Sequence, residues 1–326
     1  MSSTAALQDI LELVRPELSR MDQELVEDLR PGDPSLGPLL EHVAGYRGKQ
    51  LRPALVFLTG KMFGEVAEAH YTCAKVVELI HTATLVHDDI LDGAVVRRSE
   101  ATVNELYGNE VPVLLGDYIY ALAFHMAVSL DDPTCARMFS AAVRVVCQGE
   151  ITQCLHRGDT DWNEERYLQV ISEKTASLYG AACRVGGHYA DASEPQLQAL
   201  WSFGEQLGIA FQIIDDCLDL TGEESVVGKS LGTDLGLGKL TLPMIHLIGN
   251  SGDRRERLLQ MITDPQPGRG FEELRQEFDV EASVAYAMGR GREFVEGAVR
   301  ALAELPEGSA RDAIGGLAEY VLRRHY

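Results

Sequence analysis

Apolar positions along the chain recur at intervals of three and four, the helical period, and show no sustained one-by-one alternation of the kind strands require. Leu7, Ile10, Leu11 and Val14 share a face of a first helix expected over about 3 to 29, which Pro31, Gly32, Asp33 and Pro34 end. Further helical patterns run over about 51 to 63, 66 to 92, 111 to 130, 132 to 157, 163 to 185, 195 to 221 and 239 to 248, followed by a more polar set. Pro265, Pro267, Gly268 and Gly270 mark the longest late interruption, and there is no low-complexity linker or fixed-period repeat. The pattern predicts an all-α fold with residues 1–326 as one domain, although length alone would suggest two.

Composition agrees with helices. Hydrophobic residues make up 45% of the 326 positions and aromatics only 7%. A net charge of −21, from 29 basic and 50 acidic residues, repels nucleic acid and anionic membrane surfaces. Cys73, Cys135, Cys147, Cys154, Cys183 and Cys217 form no CxxC pair and are expected as reduced, buried thiols. The N-terminus lacks a basic start before an apolar run, and no apolar stretch approaches the roughly 20 residues of a bilayer span. A cytoplasmic protein without stable membrane insertion is therefore expected.

Chemistry enters at two helix ends. The stretch VVELIHTATLVHDDILDG closes an apolar helix with Asp88, Asp89 and Asp92, and FGEQLGIAFQIIDDCLDL repeats the arrangement with Asp215, Asp216 and Asp219. In each triplet the first and third carboxylates share a face and the second is turned away by about 100°. Like charges four residues apart destabilise a helix, and carboxylates at its C-terminus oppose its dipole, so an offsetting partner is required. Hard divalent cations such as Mg²⁺ fit that need, since they combine carboxylates with waters and phosphate oxygens. Basic residues supply the other half of a diphosphate site. Lys49 and Arg52 precede a helix, Arg97 and Arg98 follow the first cluster, and Lys174, Lys229 and Lys239 accompany the second half. His81 and Thr84 lie on the stripe that ends at Asp88, which makes His81 a candidate diphosphate contact as well as an ordinary core histidine.

The strings GKQLRP, HDDILD with Arg97 and Arg98, KTASL, FQIIDDCLD and GKSLGTDLGLGKLTLP resemble, in order and spacing, the trans-type polyprenyl diphosphate synthase family. The resemblance runs from about residue 40 to the final LAEYVLRRHY. It implies a helical bundle around a central cavity, usually homodimeric, that condenses an allylic diphosphate with isopentenyl diphosphate by ionisation, condensation and elimination. Matched position by position, Asp88, Asp92 and Asp215 would bind Mg²⁺, three ions per active site, while Asp89, Asp216 and Asp219 support them through waters or neighbouring contacts. Lys49, Arg52, His81 and Arg98 match the isopentenyl diphosphate site. Arg97, Lys174, Thr175, Gln212, Lys229 and Lys239 match the allylic site, with Lys174, Thr175 and Gln212 closest to the chemistry. Two departures fall in loops: Ser99 and Ala101 stand where many relatives carry Gly and Pro, and Arg47 precedes Gly48 where a second Gly is common.

Product length should depend on the stripe below Asp88, where Thr84, Ile80 and Val77 lie about 6, 12 and 16 Å down the helix. Relatives that stop at farnesyl or geranylgeranyl often carry an aromatic at the places of Ala83 and Thr84. The small residues here, and a first motif without inserted residues, favour a product longer than geranylgeranyl. Tyr118, Tyr120, Phe124 or Met126 of GDYIYALAFHMA are alternative floors. The competing readings are a short-chain farnesyl or geranylgeranyl synthase and a non-catalytic subunit of a heteromeric synthase. A terpene cyclase is disfavoured by DDCLD, and a metal phosphohydrolase by the lack of further histidines in ligand positions.

Overall fold

The computed structural model describes residues 3–30, 33–46, 48–221, 232–263 and 270–324. The first helical pattern is split: α1 (Ser3–Leu11) and α2 (Arg15–Asp28) are separated by a 3₁₀ turn at Glu12–Val14. Pro16 explains the correction, because inside a continuous helix it would remove a hydrogen bond and clash with the preceding turn, whereas in a first turn it does neither. After α3 (Gly37–Ala44), α4 (Leu51–Phe63) is buried all round from Pro53 to Gly60, as its unbroken apolar run requires. Helix α5 (Glu68–Leu91) carries the first acidic cluster at its C-terminus. It packs on α4 and on α7 (Glu110–Val128), which α8 (Thr134–Leu155) follows.

Among the described residues the departure from all-helix is small. A hairpin, β1 (Val96–Arg97) and β2 (Glu100–Ala101), pairs Val96 with Ala101 and Arg97 with Glu100. Its two loop residues, Arg98 and Ser99, both have left-handed φ, +51° and +68°, the pattern of a tight hairpin turn. A glycine at position 99 would adopt that φ without strain. The hairpin aims Arg97 and Arg98 back at α5 and leads into α6 (Val103–Tyr107).

The helix expected over about 163 to 185 is interrupted. Helix α9 (Glu164–Ile171) passes through a π-helical turn at Ser172–Ala176 into α10 (Ser177–His188). Such turns bulge the chain and are frequent at functional sites. This one is clasped on both sides by glycine: a Cβ on Gly149 of α8 would meet the Lys174 nitrogen at 2.9 Å, and one on Gly208 would meet the Ala176 Cα at 2.5 Å. Gly208 belongs to α11 (Glu194–Thr221), the long central helix with the second acidic cluster near its end.

Beyond α11 come α12 (Thr233–Gly236), α13 (Leu242–Asn250), α14 (Arg255–Thr263), α15 (Gly270–Glu277), α16 (Val280–Ala301) and α17 (Ser309–Leu322). The helix expected from 239 starts only at Leu242. Pro243 is tolerated in its first turn, and Lys239 stays outside the helix. The interruption at Pro265 to Gly268 lies outside the described residues. Phe57, Phe139, Phe203, Tyr179 and Ile80 fill the main core, and a second apolar cluster joins α11 to α13, α14 and α16.

Two sequence expectations need adjusting. Cys73, Cys135, Cys183 and Cys217 are buried free thiols, but Cys147 is exposed and Cys154 half-buried. Helix α7 is, by length and composition, apolar enough to cross a membrane. It buries Leu115, Ile119, Ala123 and Ala127 but leaves Leu114 69% and Val128 65% exposed.

Candidate active site

The C-terminal end of α5 collects cations. Lys239 Nζ lies 2.7 Å from Asp92 Oδ2, and Arg157, just past the end of α8, donates through Nη2 to Asp92 Oδ1 at 2.8 Å and through Nη1 to the Leu91 carbonyl at 2.8 Å. Both oxygens of one carboxylate are thus matched by positive charge, and a helix-terminal carbonyl is satisfied as well. Asp89 is turned to the other side, almost fully buried, and receives a bidentate clasp from Arg97, with Nε to Oδ1 at 2.8 Å and Nη2 to Oδ1 at 2.7 Å. Burial and the neighbouring Glu150 push the Asp88 carboxyl up to about 7, against the pull of Lys174.

Lys174 stands on the π-helical turn, 2.9 Å from Glu150 Oε1 and 2.9 Å from Gln153 Oε1. Burial alone would lower its ammonium, yet Glu150 and Asp88 outweigh burial and hold it above the usual lysine range. The next residue begins a hydrogen-bonded chain: Thr175 Oγ1 donates to Gln212 Oε1 (2.9 Å), Gln212 Nε2 to Asp216 Oδ1 (2.8 Å) and the Tyr167 hydroxyl to Asp216 Oδ2 (2.6 Å). Asp216 is buried and near Asp234, and its carboxyl is raised to about 8.

On the second cluster, Asp215 Oδ1 faces Arg324 at 2.7 Å, and that guanidinium also lies 4.0 Å over the Phe211 ring. Asp219 accepts from the Thr233 hydroxyl at 2.6 Å and from the Thr233 and Asp234 amides, so it anchors the start of α12. Asp234, raised to about 6 by burial and Asp219, also feels Lys239, Lys174 and Asp92. The segment 232–241 thereby spans the two acidic helix ends.

A second cationic group lies beside the first. Burial, Arg52, Arg98 and Arg97 hold the His81 imidazole well below its ordinary value, so it is neutral. Arg52 sits 4.4 Å over the Tyr179 ring with its Nε unpaired among the described residues, and Lys49 reaches over Tyr320 at 5.6 Å. A side chain at Gly48 would collide with Arg98 Nη2, so glycine there lets the guanidinium lie against the backbone. Lys229 falls outside the described residues.

The chain matches the family model "Polyprenyl synthetase" over residues 33–277. It is 34% identical to octaprenyl diphosphate synthase of Escherichia coli K12 over 98% of this chain and 99% of that protein. It is also 34% identical to an all-trans-nonaprenyl-diphosphate synthase of Rhodobacter capsulatus over 97% and 98%. A crystal structure of a polyprenyl synthase from Caulobacter crescentus, complexed with calcium and isoprenyl diphosphate, superposes with a TM-score of 0.93 at 29% identity, covering 98% of each chain. The chain belongs to the polyprenyl synthetase family. It is a prenyltransferase of the trans-polyprenyl diphosphate synthase type, and the all-α isoprenoid synthase fold expected from the motifs stands.

Within this polyprenyl synthetase, the expected residues gather in two groups. Asp88, Asp92, Lys174, Thr175, Gln212 and Lys239 surround the end of α5 and the π-helical turn, while Arg52, His81 and Arg98 form the adjoining cationic cluster. Arg97 lies between the groups with its fork on Asp89. Sequence reading missed Glu150, Gln153, Arg157, Tyr167, Asp234 and Arg324. The GEITQ run offered a signal for the first two, since Glu150 and Gln153 fall three residues apart at the end of an apolar helix. Of the length-determining candidates, Ile80 and Ala83 are fully buried and Thr84 is half-buried with its hydroxyl on the His81 carbonyl. Tyr120 turns inward beside His87, with its phenol raised by burial, Cys147 and Asp88, whereas Tyr118 is 39% exposed.

Asp88 keeps its proton to about pH 7 when folded, but only to the ordinary carboxylate range of about 4 when unfolded. The folded state therefore binds the extra proton between those limits, and stability falls as pH rises through that window. In buffer with a chelator at pH 8, Asp88→Asn should melt a few degrees above the parent, and the gap should close at pH 5. A variant that melts lower at pH 8 would contradict this account.

Proposed function

We propose that the protein elongates an allylic diphosphate with isopentenyl diphosphate to an all-trans product longer than geranylgeranyl. In this reading residues 1–326 work as one cytoplasmic domain, in a homodimer without membrane insertion, and Asp88, Asp92 and Asp215 hold three Mg²⁺ ions. The observation that carries the reading is the pair of cationic groups flanking one carboxylate-bearing helix end: Lys174, Lys239 and Arg157 on one side, Arg52 and Arg98 around neutral His81 on the other. One group suits the diphosphate that leaves, the other the diphosphate that stays on the product.

The donor set fits Mg²⁺, being all hard carboxylate oxygen in a setting that needs positive charge. Among the described residues no three His, Cys, Asp or Glu side chains form a ready-made metal cage. When bound, Mg²⁺ supplies charge to the leaving diphosphate oxygens. Lys174 and Lys239 add fixed positive charge at the same place, which stabilises the departing anion more than the bound substrate. Thr175 and Gln212, locked by the chain to Asp216 and Tyr167, present oriented dipoles to the allylic cation. Neutral His81 offers a ring N–H to the isopentenyl diphosphate without a proton to lose. The departed pyrophosphate takes the proton released on elimination.

A homodimer is supported by the apolar face that α7 and α8 leave exposed, with Leu114, Val128, Ile151 at 59% and Leu155 at 77%. The length assignment draws on the octaprenyl and nonaprenyl relatives and on small Thr84. A partner-subunit reading is kept alive by one relative, "Heptaprenyl diphosphate synthase component 2" of Bacillus subtilis, 31% identical over 95% of this chain and 88% of that protein.

Purified chain alone, incubated with Mg²⁺, isopentenyl diphosphate and farnesyl diphosphate, should release pyrophosphate and give a product above the geranylgeranyl mass. No turnover without a second polypeptide would leave the partner reading standing. Thr84→Phe should shorten the product, since Thr84 is half-buried and can carry a ring where fully buried Ala83 cannot; an unchanged product distribution would remove Thr84 from the floor. Leu114→Glu should convert a dimer to monomer by light scattering, and a monomeric parent would refute the dimer.

A further inference from the structure

The cation pair on Asp92 is unequal. Lys239 matches the allylic diphosphate site of the family, whereas Arg157 corresponds to none of the motif positions. Arg157 nevertheless has the more demanding geometry: one guanidinium nitrogen on Asp92, one on the Leu91 carbonyl, and an Nε that is buried without a partner among the described residues. Its backbone is tied to the lysine segment as well. The Gly158 amide donates to the Gly238 carbonyl at 2.9 Å, and both glycines have left-handed φ, +77° and +69°. The residues that follow Arg157 and precede Lys239 are thus stitched together, so the two cations approach Asp92 from one backbone junction.

This arrangement has a consequence for any divalent cation that Asp92 ligates. Both carboxylate oxygens face positive charge at hydrogen-bond distance, and an incoming cation must displace one of these groups. Lys239 is nearly buried, with a side chain 9% exposed, while that of Arg157 is 27% exposed and has room to turn. We propose that Arg157 is the exchangeable counter-ion of Asp92: it holds Oδ1 until a divalent cation takes that oxygen, then turns its fork to the diphosphate. Arginine suits the second role because its planar donors match phosphate oxygens two at a time. Arg157 thereby sets how readily Asp92 accepts metal and how firmly the diphosphate is then held. The inference rests on the reading of Asp92 as a metal ligand.

The test uses full-length parent, Arg157→Gln and Arg157→Lys, titrated calorimetrically first with Mg²⁺ alone and then with inorganic pyrophosphate at saturating Mg²⁺. With the competing charge removed, Arg157→Gln should bind Mg²⁺ about 3- to 10-fold more tightly. It should bind pyrophosphate roughly 10-fold or more weakly, since a charge-assisted donor pair is lost. Arg157→Lys should fall between the two in both titrations and covers the case in which the glutamine variant fails to fold. A purely structural role, through the Leu91 carbonyl, would weaken both ligands together, so same-direction shifts overturn the proposal. Unchanged affinities in a variant of a parent that binds both ligands overturn it alone. A parent that binds neither overturns the proposed function with it.

Discussion

Carboxylates at the ends of apolar helices cannot stay both charged and unpartnered, and that constraint organises the whole mouth of this bundle. Asp88 and Asp92 repel each other at one helix end, and their helix dipole opposes them too. The fold answers by drawing cations from elements far apart in the chain: Arg97 from a hairpin, Arg157 from the end of α8, Lys174 from a π-helical turn, Lys239 from the extended stretch before α13 and Arg324 from the segment after α17. Each supporting element is shaped by the need to deliver its charge. The hairpin accepts two left-handed residues, α13 starts late, and α8 ends where Arg157 can reach back.

The same constraint explains why the two halves of the site differ electrically. Around Asp88, Asp216 and Asp234, burial and like neighbours raise carboxyls into or above the neutral range, so negative charge there awaits a cation. Around His81 the excess is positive, and burial together with repulsion from three arginines keeps the imidazole unprotonated. A molecule carrying a diphosphate and a metal can satisfy the first region, and a diphosphate alone the second. The two regions of one site thus differ in the charge each lacks.

Helical class and the two Asp triplets were legible in the sequence because both depend on local spacing, three or four residues at a time. The matched lysines and arginines were legible because their motifs keep fixed company. Arg157 was not, since it pairs with a residue 65 positions away and stands in a run with no phosphate-binding pattern. Arg324 was hidden for the same reason, a tail residue whose partner is set only by how α17 lies against α11. The break at Pro16 could have been read from proline chemistry alone. The π-helical turn could not, because it is imposed by close approach at Gly149 and Gly208, contacts between helices that no periodicity announces.

That turn also limits how the protein can vary. Relative to an α-helix it holds one surplus residue, which bulges the chain between α9, which carries Tyr167, and α10, which lines the core. Deleting one position between 172 and 176 would let the segment relax to an ordinary helix and would re-aim the side chains of the turn itself while the flanking helices kept their phase. Lys174 and Thr175 would then miss Glu150 and Gln212 even though every functional residue was still encoded. Substitution at the half-buried positions 172 and 173 leaves the turn's length intact, while a change of length by a single codon would undo it.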